Sequence, residues 1–598
     1  MILLRRTLLM TPMSWFFSFL KKYKSKLILA FLLVTIATAM YVVNPYVSGL
    51  VIDRVIEGGE HELLWKLIIL IVSTTIVRSA IKFIYLYLFE TISQRMLYTM
   101  RDYVYRRLLQ QDFNFYNKNR TGELMSRETG DMDAIRHFVA FVTYSIYENS
   151  LLLIAALTMT FTVDYRLALC LIALIPLTAI TTKKQLTAIK PAFHNIRQSF
   201  SSLNTAVQEN ISGNRVVKAF AKEDYEIEKF QKENDNYRNA ELNATSIWRK
   251  YVPIFEFLAQ SSVFILYLLG GIMVVKDQIS PGQLVTVSGY LWMINNPLRM
   301  AGWLGNDFQR FVTSVERIYT TIHVEPLVKA PENAYQVKRL EGMIEFKNVF
   351  YNCEDDVILR DINFKVMPGQ TVGIIGATGS GKSTLMNLLC RFYDVTEGQI
   401  LVDGVDVKNY DLYSLRGNIG MAMQDVFLFS DTIEGNIAYG KSDASLEDVI
   451  AAAKLANAHD FISEMPQGYD TIVGERGVGL SGGQKQRISL ARALLKNPAI
   501  VILDDTTSAV DMETETQIQE ALHSIASNHT VFLIAHRISS IKSADLILVL
   551  DNGTILEAGT HDELIEKNGY YSTVFHHQYG EFDQMRSQKK GGYSHGKK

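Results

Sequence analysis

The chain has few cysteines, little net charge and no spacing typical of a metal site. Its 598 residues include only three cysteines, Cys170, Cys353 and Cys390. They are too few and too scattered for a disulfide framework or a thiolate metal centre. The formal net charge is −2, so no basic excess indicates a nucleic-acid partner. The chain is also too long for a single domain.

Long apolar runs occupy the first half, whereas the second half has the composition of a soluble α/β domain. A helix needs about 20 apolar residues to cross a bilayer. We therefore predict a multi-domain chain, in which an all-α membrane domain with six transmembrane helices (residues 27–324) precedes a linker (325–340) and a cytoplasmic α/β domain (341–579). The fourth run is the shortest and has the least defined ends. The six candidate spans are residues 27–50, 64–89, 138–163, 167–182, 252–275 and 284–304.

Residues 1–26 form a region of their own, because they carry six basic residues and no acidic one. Thr11 and Pro12 have the pattern of a helix N-cap followed by proline at the first helical position. The apolar residues after them adjoin a lysine cluster, which favours a helix lying in the membrane interface. A cleaved signal peptide is the alternative. The short apolar part and the lack of a small-residue cleavage site disfavour it.

The connections between the spans differ in charge and length. Residues 94–136 and 183–250 are long, helical in pattern and rich in Lys and Arg, whereas 53–61 and 276–282 are short. The positive-inside rule places the N-terminus, both long connections and the C-terminal domain in the cytoplasm. We expect a multi-pass protein of the cytoplasmic membrane, whose long loops extend as helices below the bilayer.

Polar residues interrupt several spans, as they do where a helix faces a cavity. Arg78, Lys82 and Glu148 are either cavity residues or groups near span ends that pair with each other. Pro297 is expected to break the sixth helix and free backbone carbonyls, or else to form a structural kink. The candidate substrate-cavity residues are Glu256, Gln260, Trp292, Asn295 and Asn296.

A glycine-rich stretch at 376–383 organises the second half. It reads G-x-x-x-x-G-K-S between an apolar strand pattern (371–375) and a helix pattern (384–389), which is the context of a phosphate-binding loop. Lys382 is expected to contact the β- and γ-phosphates, and Ser383 to bind Mg²⁺. The predicted ATP-binding residues are Gly376, Thr378, Gly379, Ser380, Gly381, Lys382, Ser383 and Thr384.

Further motifs follow at fitting distances. An apolar strand, 500–503, ends in Asp504 and Asp505, and Asp504 is placed to bind Mg²⁺. A second apolar strand ends in His536. Gln424 is a further candidate for Mg²⁺ binding and catalysis. A stretch that precedes a helix reads L-S-G-G-Q, and its residues are Leu480, Ser481, Gly482, Gly483 and Gln484.

The order of these motifs resembles that of ATP-binding-cassette (ABC) proteins, whose signature is L-S-G-G-Q, over about residues 341–579. The first half resembles the exporter class at Thr121-Gly122-Glu123-Leu124 and at Val216-Val217-Lys218-Ala219-Phe220. The resemblance implies a half-transporter that works as a dimer. In such a dimer the signature, with Ser508 and Asp511, acts at the partner's ATP, while coupling helices near 117–127 and 215–225 transmit domain closure to the spans.

Asp505 departs from the family pattern, in which a glutamate at this position acts on the attacking water. Its carboxylate sits one C–C bond further back, and general-base assistance depends on such geometry. Asp505, His536 and Gln424 are the candidate catalytic residues, but we expect weak hydrolysis on this chain. The pattern resembles the degenerate subunit of heterodimeric bacterial multidrug exporters. The alternatives are a homodimer with two weak sites and an engineered Glu-to-Asp change.

A second departure concerns adenine. The family places an aromatic residue after the first strand of the ATPase domain, to stack on the base. Here Cys353 occupies that position and Tyr351 lies two residues before it. Either Tyr351 takes over the contact through a shifted loop, or stacking is lost and discrimination between ATP and GTP weakens.

Together these features predict ATP- and Mg²⁺-dependent export of amphipathic or lipophilic small molecules. The expected partners are a second half-transporter, the lipid bilayer and the cargo. A homodimeric lipid flippase or peptide exporter is an alternative, and so is a nucleotide-gated channel or sensor. Residues 580–598 are basic and without apolar pattern, and we expect them to be disordered.

Overall fold

The computed structural model describes residues 11–354, 356–474, 477, 479–505 and 529–578. The chain forms two compact units. The first consists of Met1–Gln110 and Asn119–Glu325, and the second of Gln111–Lys118 and Pro326–Lys598. The short segment at 111–118 therefore belongs with the C-terminal half, although it lies within the N-terminal half of the sequence.

The first unit begins with a short helix, α1 (Pro12–Leu20). As predicted, Thr11 is its N-cap and accepts a hydrogen bond from the Ser14 backbone N–H, and proline occupies the first turn. Trp15 and Phe16 are buried. The Phe16 ring lies 4.8 Å from that of Phe311, so part of the apolar face packs on protein within this unit.

Long helices make up the rest of this unit, together with shorter segments between them. Short wide-turn (π) segments at Val51–Glu57, Arg127–Asp131 and Phe138–Val142 extend or join several of the helices. The helices are α2 (Lys24–Leu50), α3 (His61–Leu109), α5 (Thr121–Ser126), α6 (Met132–His137), α7 (Thr143–Val163), α8 (Tyr165–Ser212), α9 (Asn214–Ala219), α10 (Glu223–Val275) and α11 (Pro281–Ile322); α4 (Phe113–Lys118) belongs to the second unit.

Among the described residues, four helical segments are long and apolar enough to cross a membrane: Pro12–Glu57, His61–Leu109, Thr121–Val163 and Glu223–Val275. Helices α8 and α11 contain the two other predicted spans and have 48 and 42 residues. Pro297 lies inside α11, which continues to Ile322, so the prediction that Pro297 breaks the helix is wrong. Membrane helices tolerate such prolines where groups on neighbouring helices form hydrogen bonds with the backbone groups that the proline leaves unpaired.

The C-terminal end of α2 and the N-terminal end of α11 pack closely. A Cβ at Gly49 would lie 2.4 Å from the Gly282 carbonyl oxygen, so only glycine permits this approach. The Asp53 carboxylate accepts hydrogen bonds from the Ser280 hydroxyl at 2.6 Å and the Gly282 N–H at 2.7 Å. A carboxylate at the N-terminus of α11 is favourable because the helix dipole is positive there.

The second unit contains a six-stranded sheet. Its strand order is β12 (Thr554–Gly559), β11 (Leu546–Asp551), β3 (Thr371–Gly376), β10 (Thr530–Ile534), β9 (Ile500–Asp504) and β6 (Ile419–Ala422). Only β12 is antiparallel to its neighbour. The parallel strands are buried and nearly continuous in apolar residues, as expected where helices cover both faces. Their carboxyl ends bring the phosphate loop, Asp504 and His536 to one edge.

A second, antiparallel sheet has the order β2 (Asp356–Val366), β1 (Ile344–Cys353), β4 (Glu397–Val402) and β5 (Val405–Asp406), and a small one pairs β7 (Asp431–Thr432) with β8 (Ile472–Val473). A largely helical apolar cluster includes the buried Ile437, Val449 and Ile488. The remaining helices are α12 (Lys382–Leu389), α13 (Leu412–Gly417), α14 (Ile433–Ala438), α15 (Leu446–Leu455), α16 (His459–Ser463), α17 (Gly482–Leu495) and α18 (His561–Glu566), and residues 570–578 are also helical.

Candidate nucleotide site

The phosphate loop has the backbone that its sequence predicts. Strand β3 ends at Gly376, and α12 begins at Lys382. Gly381 has φ 99°, a left-handed conformation suited to glycine. A Cβ at Gly376 would lie 2.1 Å from the Leu550 carbonyl oxygen, so this position also requires glycine. The loop thus leads directly into a helix N-terminus, where N–H groups and the helix dipole favour a phosphate.

Lys382 is held inside the loop. Its Nζ donates to the carbonyl oxygens of Gly376 at 2.9 Å and Ala377 at 2.8 Å, and the residue is 7 % exposed. Burial lowers the pKa of the Lys382 ammonium, while Asp504 and Asp505 act in the opposite direction. The ammonium therefore lies in the phosphate loop and is bound by two neutral carbonyl oxygens. Charged phosphate oxygens can replace these carbonyls, because they are stronger hydrogen-bond acceptors.

Asp504 and Ser383 form the oxygen-rich part of the site. Asp504 is 6 % exposed, and this burial raises the pKa of its carboxyl group, while a hydrogen bond from the Ser383 side chain opposes the shift. Within the described residues, no group of three or more His, Cys, Asp or Glu side chains could hold a metal. The fit is instead to Mg²⁺ bound jointly by nucleotide phosphates, the Ser383 hydroxyl and the Asp504 carboxylate.

Asp505 and Gln424 come together from two strands. Gln424 lies two residues after β6, and its Nε2 is 3.5 Å from Asp505 Oδ2. The Asp505 backbone is fixed by a 2.9 Å hydrogen bond from its N–H to the Ile534 carbonyl and by a 3.3 Å bond from Gln486 Nε2 to its own carbonyl. Its φ is 49°, a left-handed value that Asp tolerates better than most residues. The site can orient a water between an amide and a carboxylate.

His536 follows β10 at the same edge of the sheet. Its side chain is exposed, and it lies near enough to Asp504 to counteract part of the rise in that carboxyl's pKa. The sequence motifs thus bring Lys382, Asp504, Asp505, Gln424 and His536 to one place. This arrangement suits binding of a nucleoside triphosphate with Mg²⁺ and attack by water on its terminal phosphate.

The L-S-G-G-Q stretch forms the start of α17. Ser481 is the N-cap, and its side chain accepts from the Gln484 N–H, while the Gln484 side chain accepts from the Ser481 N–H. This capping box fixes the helix N-terminus. The N-cap, Ser481, is exposed, and the helix begins with Gly482 and Gly483. Ser508 and Asp511 lie outside the described residues.

Tyr351, one of the residues predicted to contact adenine, is buried. It is 9 % exposed and belongs to the apolar core, with its ring centroid 5.8 Å from that of Tyr393. Burial raises the pKa of its hydroxyl to about 12. Cys353, at the end of β1, is the exposed residue. Because the Tyr351 ring packs against the core, a shifted loop would be needed for it to stack on the base, and both alternatives for adenine stay predictions.

Helix α4 packs on the ATPase fold within the second unit. The Phe113 ring is 4.5 Å from Phe392, and Asn117 Nδ2 donates to the Tyr393 hydroxyl at 2.9 Å. Lys118 and Glu354 form an exposed ion pair at 3.7 Å. Two of these three contacts, from Asn117 and Lys118, fall within the predicted first coupling segment at 117–127, and the Phe113 contact lies just before it. Phe392 and Tyr393 were not among the predicted site residues, because surface aromatic residues carry no motif.

The membrane unit places some candidate cavity residues together. The Arg78 guanidinium lies 3.6 Å from the centre of the Tyr41 ring, and Trp292 approaches the same ring edge-on at 6.4 Å. Glu148 instead accepts the Tyr85 hydroxyl at 3.4 Å, so Arg78 and Glu148 contact different partners.

The remaining candidates differ in exposure. Asn295 donates to the Ser262 hydroxyl at 3.3 Å, and Asn296 is half-buried. Glu256, Gln260 and Lys82 are exposed within this chain. The structure thus brings Trp292 to the Arg78–Tyr41 pair, and it gives Asn295 a neighbour in α10. For Glu256 and Gln260, a cavity role stays a prediction.

Comparisons with known proteins agree with this site. Residues 27–298 match the family described as ABC transporter transmembrane region, and residues 359–508 match the family described as ABC transporter. The chain is 40 % identical to the "Uncharacterized ABC transporter ATP-binding protein YknU" of Bacillus subtilis, over 93 % of this chain and 96 % of that protein. It is 36 % identical to the "ATP-dependent lipid A-core flippase" of Syntrophus aciditrophicus, over 90 % and 89 %.

A solved structure shows the same architecture along both units. The structure of a bacterial Atm1-family ABC exporter with ATP bound has a TM-score of 0.80 to this chain at 29 % identity, covering 93 % of this chain and 99 % of the other. The phosphate loop, the buried Asp504 and the capped signature helix are the parts of an ATPase coupled to transport. This chain belongs to the ABC transporter family and has the fold of its exporters, a helical transmembrane domain fused to an α/β ATPase domain.

Proposed function

We propose that this chain is one half of a heterodimeric exporter of amphipathic small molecules, and that ATP bound to its own phosphate loop is hydrolysed slowly. The observation that carries the proposal is Asp505. Asp505 has a short side chain on a backbone with a left-handed φ, and two hydrogen bonds to its N–H and carbonyl groups hold that backbone in place. Its carboxylate therefore has little freedom to move toward an attacking water. General-base assistance is worth about 10²–10⁴-fold when the base is in reach of its proton.

In the proposed cycle each residue has a defined task. Lys382 exchanges its two carbonyl acceptors for phosphate oxygens of ATP, and Ser383 and Asp504 would hold Mg²⁺, which would neutralise phosphate charge. Gln424 and Asp505 orient water, and His536 faces the terminal phosphate. The intact Ser481 helix N-terminus completes the ATP site of a partner subunit that carries the glutamate. Closure of the two ATPase domains then switches the membrane cavity between inward and outward access.

The cargo is proposed from the membrane unit. Arg78, Tyr41 and Trp292 form a cationic and aromatic cluster between α2, α3 and α11. Such a cluster offers both a charge and aromatic faces, which suits binding of amphipathic molecules. The relatives support two classes of cargo. YgaD of Bacillus subtilis, 36 % identical over 95 % of this chain, is named as a candidate multidrug export protein, and the flippase named above acts on lipid A-core.

Subunit composition tests the heterodimer. The chain is expressed alone in membranes, purified, and compared with material isolated from its native host for mass and ATP turnover. We expect a weakly active or unstable chain alone and a second half-transporter in the native preparation. A stable homodimer with robust turnover that Asp505→Asn abolishes would contradict the heterodimer and favour the homodimeric flippase or peptide exporter.

Transport itself needs a separate measurement, because a nucleotide-gated channel or sensor would also bind ATP. Inside-out vesicles containing the complete transporter are incubated with candidate amphiphiles in the outer medium, with and without ATP. Cargo-stimulated ATP turnover together with accumulation against a gradient supports a pump. ATP-dependent equilibration without accumulation would identify a channel.

A further inference from the structure

The loop that carries His536 is held by one distant side chain. Gln578 Nε2 donates to the His536 carbonyl oxygen at 2.9 Å, and the Ile538 N–H donates to Gln578 Oε1 at 2.9 Å. The two contacts flank Arg537 and lie about 40 residues away from Gln578 in sequence. A single amide therefore ties together the two backbone positions that determine where the His536 side chain begins.

We propose that Gln578 is a positioning residue for His536, acting through this pair of hydrogen bonds. Only a carboxamide side chain both donates and accepts in this way, since a carboxylate lacks the donor and an alkyl group lacks both. The histidine lies at the end of β10, beyond the sheet's hydrogen bonds. The hydrogen bonds of Gln578 therefore fix the backbone at a place where the hydrogen bonds of the sheet do not.

The element that carries Gln578 is itself anchored. At the start of the 570–578 helix, the Glu557 carboxylate accepts from the backbone N–H groups of Tyr570 at 2.6 Å and Tyr571 at 3.1 Å. Tyr571 is fully buried, and its hydroxyl lies 2.8 Å from His561 Nδ1. A capped helix with a buried aromatic residue presents the amide from a rigid support.

The same apolar cluster connects the anchor to the phosphate loop. Tyr571 packs in a cluster that contains Ile375, Ala535 and Ile538. Ile375 immediately precedes the first glycine of the phosphate loop, and Ala535 immediately precedes His536. The 570–578 helix therefore supports the loop and the histidine from one side. The sequence alone gives no sign of this role, because a glutamine near the end of the chain belongs to no motif.

The experiment uses the complete transporter in membranes and measures the preference of this chain's site for ATP over ADP. Binding is followed by photolabelling of this chain with azido-ATP in competition with ATP or ADP. A residue that acts on the terminal phosphate through His536 affects ATP and leaves ADP affinity unchanged, whereas general destabilisation of the domain lowers both. This readout works whether or not Asp505 supports hydrolysis, so it is independent of the heterodimer proposal.

We expect Gln578→Ala to reduce the ATP-over-ADP preference about fivefold, because a displaced His536 loses the equivalent of one ordinary hydrogen bond to the terminal phosphate. Gln578→Glu is expected to fall between wild type and Gln578→Ala. The matched control is His577→Ala, since His577 is exposed on the same helix, and it should leave the preference unchanged. Thermal melting of each variant checks folding.

A double-mutant cycle with His536→Ala decides between positioning and packing. If Gln578 acts through His536, the double variant His536→Ala/Gln578→Ala shows the same preference as His536→Ala alone. Independent, multiplying effects of the two substitutions would overturn the proposal. So would a Gln578→Ala variant that matches His577→Ala, or one in which ATP and ADP affinities fall together.

Discussion

The Gln424 amide and the Asp505 carboxylate approach each other at 3.5 Å, from Nε2 to Oδ2, across the ends of two neighbouring strands. This distance is the longest that a hydrogen bond allows, so the pair is loosely joined. A side chain longer by one methylene would extend the carboxylate by about 1.5 Å toward the space that the two groups share. An attacking water therefore has to bind beside this pair, where both the amide and the carboxylate can contact it.

Asp505→Glu is expected to raise ATP turnover at this site. The longer side chain brings the carboxylate within reach of the water, and we expect a gain of about ten- to hundredfold from general-base catalysis. The measurement is single-site turnover with the partner's catalytic glutamate replaced by glutamine. Asp505→Asn serves as the control without a base, and equal rates for Asp505→Glu and Asp505→Asn would show that this position does not limit hydrolysis.

Asp504→Asn is expected to stabilise the nucleotide-free protein while abolishing Mg²⁺-dependent ATP binding. Burial holds the pKa of Asp504 above its unfolded value of 3.8. A carboxyl group with a raised pKa contributes stability below 3.8 that is lost as pH rises through the folded pKa. The variant cannot ionise, so its melting temperature should exceed that of wild type at neutral pH.

The pH dependence gives this prediction its control. The difference in melting temperature between Asp504→Asn and wild type should shrink as the buffer is made acidic, because wild type then becomes protonated as well. A difference that grows on acidification would contradict the sign argued here. Ser383→Ala removes the hydrogen bond that opposes the shift, and it should enlarge the difference.

Cys353→Tyr is expected to create the missing adenine contact. Cys353 is exposed at the end of β1, so a ring placed there has room that the buried Tyr351 lacks. Base stacking is worth about 1–3 kcal/mol, so ATP affinity should rise about tenfold, with a gain in preference over GTP. Competition of ATP and GTP for the site measures both. Tyr351→Leu, which removes the ring, is the comparison, and a larger change in ATP affinity there would return the stacking role to Tyr351.

The contact between Asn117 and Tyr393 is expected to matter for transport more than for ATP turnover. Tyr393→Phe removes only the hydroxyl that accepts the 2.9 Å hydrogen bond from Asn117. We expect transported cargo per ATP to fall about two- to fivefold, in line with one hydrogen bond. Tyr413→Phe, on an exposed tyrosine of α13, is the control. A parallel loss of turnover and transport would indicate damage to the ATPase fold instead.

Arg78→Gln tests the cavity interpretation of the second span. It removes the cation that lies 3.6 Å from the Tyr41 ring, while Lys82→Gln removes an exposed cation one helical turn away. Basal ATP turnover should be unchanged in both. Cargo-stimulated turnover should change in Arg78→Gln and remain as in wild type in Lys82→Gln. Identical stimulation profiles would assign Arg78 a packing role.

Much of this architecture follows from local sequence patterns. The phosphate loop, the signature helix and the strand that ends at Asp504 were predicted correctly, because glycine conformation, capping and apolar strands are local properties. The Thr11 cap is a further example.

The failures depend on distant contacts. Pro297 is predicted to break its helix, but α11 continues past it to Ile322. The sequence also gives no sign that the Tyr351 ring lies in the core beside Tyr393. The Gln578 contacts to the His536 loop join segments that no local pattern connects.

Helices α8 and α10 lie side by side, with 48 and 53 residues, and each contains both a membrane stretch and a long polar extension. At 1.5 Å per residue each is about 70–80 Å long. Their packing through Ile189, Ala192 and Ala244 makes the pair stiffer than either helix alone. A tilt of about 5° around one end would displace the other by about 6–7 Å, so the pair acts as a mechanical lever that converts a small rotation at one end into a large displacement at the other.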